Sequence, residues 1–447
     1  MPGTWFVSAP ARSTGGDPMT LSTDPVIVVS NDTHIGPRLT EDLRAYCPAR
    51  YLDDFDRFAA SESANKEAAA TMLAGSGYLD HPNFRTAGHH DSAARLADYD
   101  HDGIAAGVIF HGSMNLEPIP FVSSPLGKPK PQGDRELIDV GQRIYNRWLA
   151  DFVAQAPHRH IGLAYLPMWD VDAAVAEVAW AREAGLRGVN FPAMRDGELP
   201  EYNRRLWEPL WSACEELGMP LVTHVGGGMT ARYTGLESVA LIQLESAGFL
   251  SQRAVWWLIF AGVFERHPGL KLVITETPGS WFPAKAIELD ALYAFYVSKR
   301  DEPLNKALLE QVPRRPSEYL TANVFFGASF ASPYEVEEAV SHGLQSQLLW
   351  GSDYPHLEGT FVYPDRQDTP SVTRLALRNT FNAMAPADTR RMVGENAIDV
   401  YGLDRTALQA IARDIDAPST EQLATPIDAV PAGASITAFR TGAGGWS

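Results

Sequence analysis

The 447-residue sequence predicts an α/β fold in which eight parallel strands close into a barrel. Three observations carry that expectation. Short apolar runs of strand length recur along the chain, stretches with helical spacing lie between them, and carboxylate or histidine clusters sit just past four of the runs. The runs are, in order, Val26–Ser30, Gly107–Phe110, Ile161–Leu166, Gly188–Phe191, Leu221–Val225, Lys271–Glu276, Val324–Gly327 and Leu348–Asp353. Val171–Ala184 and Arg204–Leu217 space Val, Ala, Leu and Trp as helices packed on a parallel sheet do. The alternation makes this a (β/α)8 barrel of the TIM type.

Two connections exceed what such a barrel needs. Residues 38–102, after the first strand, contain Gly88-His89-His90-Asp91; residues 112–157, after the second, contain the Pro- and Lys-bearing run from Pro125 to Pro131. Insertions on the catalytic side usually shape a substrate pocket. Residues 1–24 read as a disordered leader, because no basic region is followed by an apolar run. The barrel domain is expected over 25–404. Residues 405–447 read as a final helix and a tail rich in Ala, Pro, Thr and Gly that either wraps a neighbouring copy, giving a homo-oligomer, or stays loose.

A formal charge of -18 argues against nucleic acid or an anionic membrane surface as partner. Cys47 and Cys214 are the only cysteines, which supports neither a disulfide framework nor a thiolate zinc site and fits a reducing cytoplasm. The apolar stretch 254–264 is too short to span a bilayer and reads as a buried helix.

The chemistry lies in Asp32-Thr33-His34, His224, Glu276 and Asp353-Tyr354-Pro355-His356. A barrel gathers the carboxyl ends of its strands at one face, so these clusters suit one metal centre. In Asp-x-His the two side chains project to the same side of an extended backbone and can reach one cation. Taken alone, the pair reads equally as a helix cap beside a surface histidine.

With Thr223-His224-Val225-Gly226-Gly227, Gly351-Ser352-Asp353-Tyr354-Pro355-His356 and Gly394-Glu395-Asn396-Ala397 added, the chain from Val26 to Leu403 resembles the amidohydrolase-related superfamily of metal-dependent barrels. The resemblance implies Asp32, His34, His224 and Asp353 as the inner metal ligands. Where hydrolase and decarboxylase relatives commonly carry a histidine at the end of the sixth strand, this chain carries Glu276. That departure, the His89-His90 pair and the His356 ending resemble the branch of non-haem diiron monooxygenases associated with platensimycin-type diterpenoid biosynthesis. The resemblance implies two iron ions, with His89, His90, Glu276 and His356 as further ligands, Glu276 bridging, and Glu276, His111 and His356 as catalytic groups. His111 equally suits a structural histidine bonded to the loop at Glu117.

The expected reaction is hydroxylation of a hydrophobic, CoA-linked acyl substrate with dioxygen and an external electron donor. Trp256, Trp257 and Trp281 suit an apolar substrate wall or ordinary packing. Lys128 and Lys130, near Arg135, suit phosphate groups or a solvated loop. The alternative is a hydrolase or non-oxidative decarboxylase with one zinc or manganese ion.

Overall fold

The computed structural model describes residues 22–73, 79–122, 134–193, 199–225, 241, 244, 249–277, 279–364, 369–431, 433–435 and 437–440. Eight parallel strands stand in sequence order: β1 (Val29–Ile35), β2 (Ala106–His111), β3 (His160–Ala164), β4 (Gly188–Asn190), β5 (Leu221–His224), β6 (Leu272–Thr275), β7 (Val324–Ser329) and β8 (Leu348–Gly351). Each pairs in parallel with the next. The last approaches the first through Ser30 Oγ and Ser352 Oγ, 2.9 Å apart, and through the Asp353 amide, which donates to the Asp32 carbonyl at 2.9 Å. The result is a nearly closed barrel alternating with helices.

Strand periodicity sorts the core into two shells. Val29, Val108, Phe110, Leu163, Val222, Val273 and Leu349 pack together inside, closed at the amino end of the strands by helix Asn396–Tyr401. The alternate residues, among them Val28, Ile109 and Ile274, face the helices and meet Leu149, Phe152 and Val153 of helix Arg135–Ala154 and Leu210 of helix Glu208–Glu216. Two of the surrounding helices start where a side chain satisfies their free amides. The Asp134 carboxylate accepts from Glu136 N at 2.9 Å, and that of Asp170, ahead of helix Val171–Glu183, accepts from Ala173 N at 3.0 Å.

β1 departs from the expected boundaries in a way that builds the site. It runs through Ile35, so Asp32 and His34 lie within the strand and not beyond it. Its register against β2 shifts between Ser30 and Thr33. Such a bulge exchanges the two faces of a strand. Val29 and Asn31 face inward before it, and Asp32 and His34 do so after it, while Thr33 turns out to bond the Val108 carbonyl at 2.6 Å.

Residues 36–105 hold helices Leu52–Leu73 and Ser92–Asp102; the second places Arg95 against the outside of β1. Residues 1–21, most of the expected leader, and Lys128 and Lys130 fall outside the described residues. Among the described residues no helix is long and apolar enough to cross a membrane. Cys47 and Cys214 are buried and unbridged.

Candidate metal centre

Four side chains from β1, β5 and the end of β8 converge at the carboxyl end of the barrel. His34 Nε2 lies 3.2 Å from both Asp32 Oδ1 and Asp353 Oδ1, and His224 Nε2 lies 3.4 Å from Asp32 Oδ1. All four residues are buried. These same four atoms have no hydrogen-bond partner, although buried polar atoms are nearly always paired. The far atoms of three of the side chains are engaged, while Asp353 Oδ2 is without a partner as well. His224 Nδ1 donates to the Val225 carbonyl at 2.7 Å, His34 Nδ1 lies 3.4 Å from the His111 carbonyl, and the Ser329 hydroxyl donates to Asp32 Oδ2. Those outer bonds leave each imidazole with its Nε2 lone pair directed at the centre, as ligating histidines are oriented. Two carboxylate oxygens and two imidazole nitrogens fit one divalent ion.

Glu276 and Asp353 follow their strands with φ of 57° and 56°, a left-handed conformation rare outside glycine. Such strain persists where surrounding bonds fix it. At Glu276 it turns a residue of outward parity back toward the centre, so that Oε2 lies 3.6 Å from His224 Nδ1. Burial, with Asp353 and Asp32 close by, holds the Glu276 carboxyl well above the usual carboxylate range. Burial works in the same direction on Asp32 and Asp353, but the imidazoles beside them outweigh it and both stay below that range.

His356 stacks on His34, with ring centroids 4.0 Å apart. Its Nδ1 is 3.0 Å from Asp353 Oδ1 and its Nε2 is 2.9 Å from the Gly112 carbonyl. Burial opposes its charge, yet the Asp353 carboxylate raises the ring to about 10. With its Nε2 held by the Gly112 carbonyl, His356 is placed to orient Asp353 as a charge partner.

The structure also brings in Glu358, which the sequence reading missed. Its carboxylate groups with those of Glu276 and Asp353, and burial, then the charge of Asp353, raises it above the ordinary value. Its spacing of five from Asp353 offered a weak signal, because the path of the intervening turn is not periodic.

Other expected residues lie elsewhere. His89 is buried, but Nδ1 meets Ser113 Oγ at 2.7 Å and Nε2 meets the Asn83 carbonyl at 3.0 Å, so both ring nitrogens are occupied away from the centre. His90 is half-buried and joins none of the metal-binding groups among the described residues. His111 sets its ring edge-on to Tyr145 at 5.3 Å, while its neighbour Phe110 faces inward, 4.8 Å from the His224 ring. Strand alternation therefore sends His111 away from the centre. Trp256 packs on Phe249 and beneath Lys285, Trp257 on Tyr202 and beneath Arg253, and Trp281 donates to Thr277 Oγ1 at 3.3 Å beside the Glu276 turn.

Comparison with known proteins overturns the expected oxygenase. The chain is 26% identical over 251 residues to gamma-resorcylate decarboxylase of Rhodococcus jostii strain RHA1, covering 52% of this chain and 71% of that protein. It is 25% identical over 284 residues to 2-amino-3-carboxymuconate-6-semialdehyde decarboxylase of Dictyostelium discoideum, covering 62% and 69%. In fold it resembles 5-carboxyvanillate decarboxylase of Novosphingobium aromaticivorans, crystallised with manganese and 4-hydroxy-3-methoxy-5-nitrobenzoic acid, with a TM-score of 0.59, 17% identity, and coverage of 86% and 100%. These proteins are named for loss of carbon dioxide and not for oxygen insertion, so the monooxygenase, its diterpenoid setting, the iron pair, the CoA-linked substrate and the electron donor all lose their support. The decarboxylase, given above as the alternative, is the reading they favour. The amidohydrolase family model matches residues 127–403, which include His224, Glu276 and Asp353 with Asp32 and His34 lying before them, and since that match takes in more than half of the sequence the chain belongs to the amidohydrolase family.

Proposed function

We propose that the protein is a non-oxidative decarboxylase of a small aromatic or similarly unsaturated carboxylic acid, with one divalent metal ion, manganese by preference, held by Asp32, His34, His224 and Asp353. The observation that carries the metal is the meeting of Asp32 Oδ1, His34 Nε2, His224 Nε2 and Asp353 Oδ1 in a buried pocket without hydrogen-bond partners. The reaction class rests on the decarboxylase relatives.

An ion bound there supplies positive charge for the substrate's carboxylate and an adjacent oxygen. The residues of the chain do the rest. In non-oxidative decarboxylation the bond between carbon and carboxylate breaks, its electron pair stays on the carbon, carbon dioxide leaves, and that carbon takes one proton. Glu276, whose carboxyl burial holds well above the usual carboxylate range, is the group placed to carry that proton beside His224. His356 holds Asp353 in orientation. Phe110, 5.9 Å from the His34 ring and 4.8 Å from that of His224, keeps this side of the pocket apolar and dry.

The test is turnover of a panel of hydroxybenzoic and related unsaturated acids by the manganese-loaded protein under strict anaerobiosis, followed as carbon dioxide release. Turnover without dioxygen is expected, and Glu276→Gln is expected to abolish it while manganese stays bound. Release of an alcohol or amine from esters or amides, with no acid decarboxylated, would assign the centre to hydrolysis instead.

A further inference from the structure

The last described residues return to the catalytic face, beyond the end of the family match at 403. Ala438 and Phe439 are buried with Phe330, Val372 and Ala376, a small core of their own between the end of β7 and helix Val372–Phe381. From that anchor two polar contacts reach the centre's loops. The Thr437 hydroxyl donates to the Glu358 carbonyl. The Arg440 guanidinium, buried and lying 5.3 Å from the Phe330 ring centroid, donates to Glu335 Oε2. Glu335 is itself buried, and its other oxygen accepts from the Gly279 amide at 3.1 Å, three residues past Glu276. A chain of bonds thus runs from the tail through Glu335 to the turn that carries Glu276, and a second runs from the tail to Glu358.

We propose that Thr437–Arg440 is a positioning strap for this centre, with Arg440 fixing the Glu276 turn through Glu335 and Thr437 fixing the Glu358 turn. The inference rests on the decarboxylase reading for its kinetic consequence only. Glu276 has a left-handed backbone; its amide is held by the Gly327 carbonyl at 2.9 Å, and the residues that follow are held by the Gly279–Glu335 bond. A displacement of about 1 Å in a proton-carrying group costs up to about 100-fold in rate. Neither Arg440 nor Thr437 is among the four proposed ligands, so loosening the strap leaves the ion in place.

The full-length variants Arg440→Met, Arg440→Lys and Thr437→Val are compared with the parent for manganese per chain, hydrogen exchange across residues 275–282, and kcat and KM. Arg440→Met is expected to keep its manganese, to speed exchange at the Gly279 amide about tenfold, and to lower kcat about tenfold with KM nearly unchanged. Arg440→Lys should restore part of both effects. Thr437→Val should lower kcat while leaving exchange at Gly279 as in the parent. Unchanged exchange at Gly279 in Arg440→Met overturns the strap, as does loss of manganese in a folded variant. If Arg440→Met does not fold, Arg440→Lys decides by the same exchange readout. Exchange is independent of turnover, so a parent protein inactive on every acid would remove the decarboxylase reading and leave the strap to be judged by exchange.

Discussion

The Ser329 hydroxyl donates to Asp32 Oδ2, the oxygen of that carboxylate turned away from the imidazoles. Oδ1 is thereby left directed at His34 and His224. The last residue of β7 sets the orientation of a carboxylate from β1.

Ser329→Ala should weaken manganese binding about 10- to 100-fold, the usual cost of removing a partner that orients a ligand, with little change in melting temperature of the metal-free protein. Titration against a chelator of known affinity measures it. An unchanged affinity would mean that Asp32 needs no such support.

Manganese should raise thermal stability, because the four proposed ligands meet only in the folded chain and an ion that binds them binds the folded state alone. At free metal about 100 times Kd the gain is about 2.7 kcal/mol. Thermal melts with manganese and with excess chelator measure the shift. His224→Ala should remove it, whereas His111→Ala should keep it.

Arg95 bonds the His34 carbonyl at 2.8 Å, Thr33 Oγ1 at 2.6 Å and Tyr99 OH at 2.9 Å, and its guanidinium lies 4.8 Å from the Tyr354 ring centroid. It ties helix Ser92–Asp102 to the bulged strand and to the turn after β8. Arg95→Met strands these acceptors in a dry site and should cost about 3 kcal/mol in denaturant unfolding. A loss below about 1 kcal/mol would show that water replaces the guanidinium.

Acid should destabilise the protein through two buried histidines. Burial lowers His160 from 6.5 to about 3 and His89 from 6.5 to about 4. The unfolded chain therefore binds more protons than the folded one below pH 6.5, so these groups' contribution is complete above that value and is lost progressively as pH falls toward the folded values. His160→Gln should flatten the slope of unfolding free energy against pH in that window. A slope unchanged by the substitution would assign the acid sensitivity to other groups.

The barrel was legible because strand-length runs alternate with helical ones, and four of the centre's residues were legible because a barrel brings the ends of distant strands to one face. What the runs could not show was which way a side chain turns. The bulge in β1 carries no composition signal, yet it decides that Asp32 and His34 point inward. For His111 the signal existed in strand parity, since Phe110 and His111 cannot both face the interior. The partners that occupy His89, Ser113 and the Asn83 carbonyl, come from separate turns of the long insertions, whose folding no periodicity specifies. Counting histidines near the strand ends therefore overstated the ligands and suggested a second metal. Among the described residues, His34 and His224 are the histidines that direct an Nε2 at Asp32 Oδ1, which is enough for one.

The contact of Ser30 with Ser352 joins positions 322 residues apart. Ribosomal synthesis adds roughly 5–20 residues per second, so the first strand waits many seconds for its closing neighbour. Throughout that interval Asp32 and His34 lack Asp353, and no nascent intermediate can hold metal with the full ligand set. The complete set of four candidate ligands therefore comes together only after translation of the last strand.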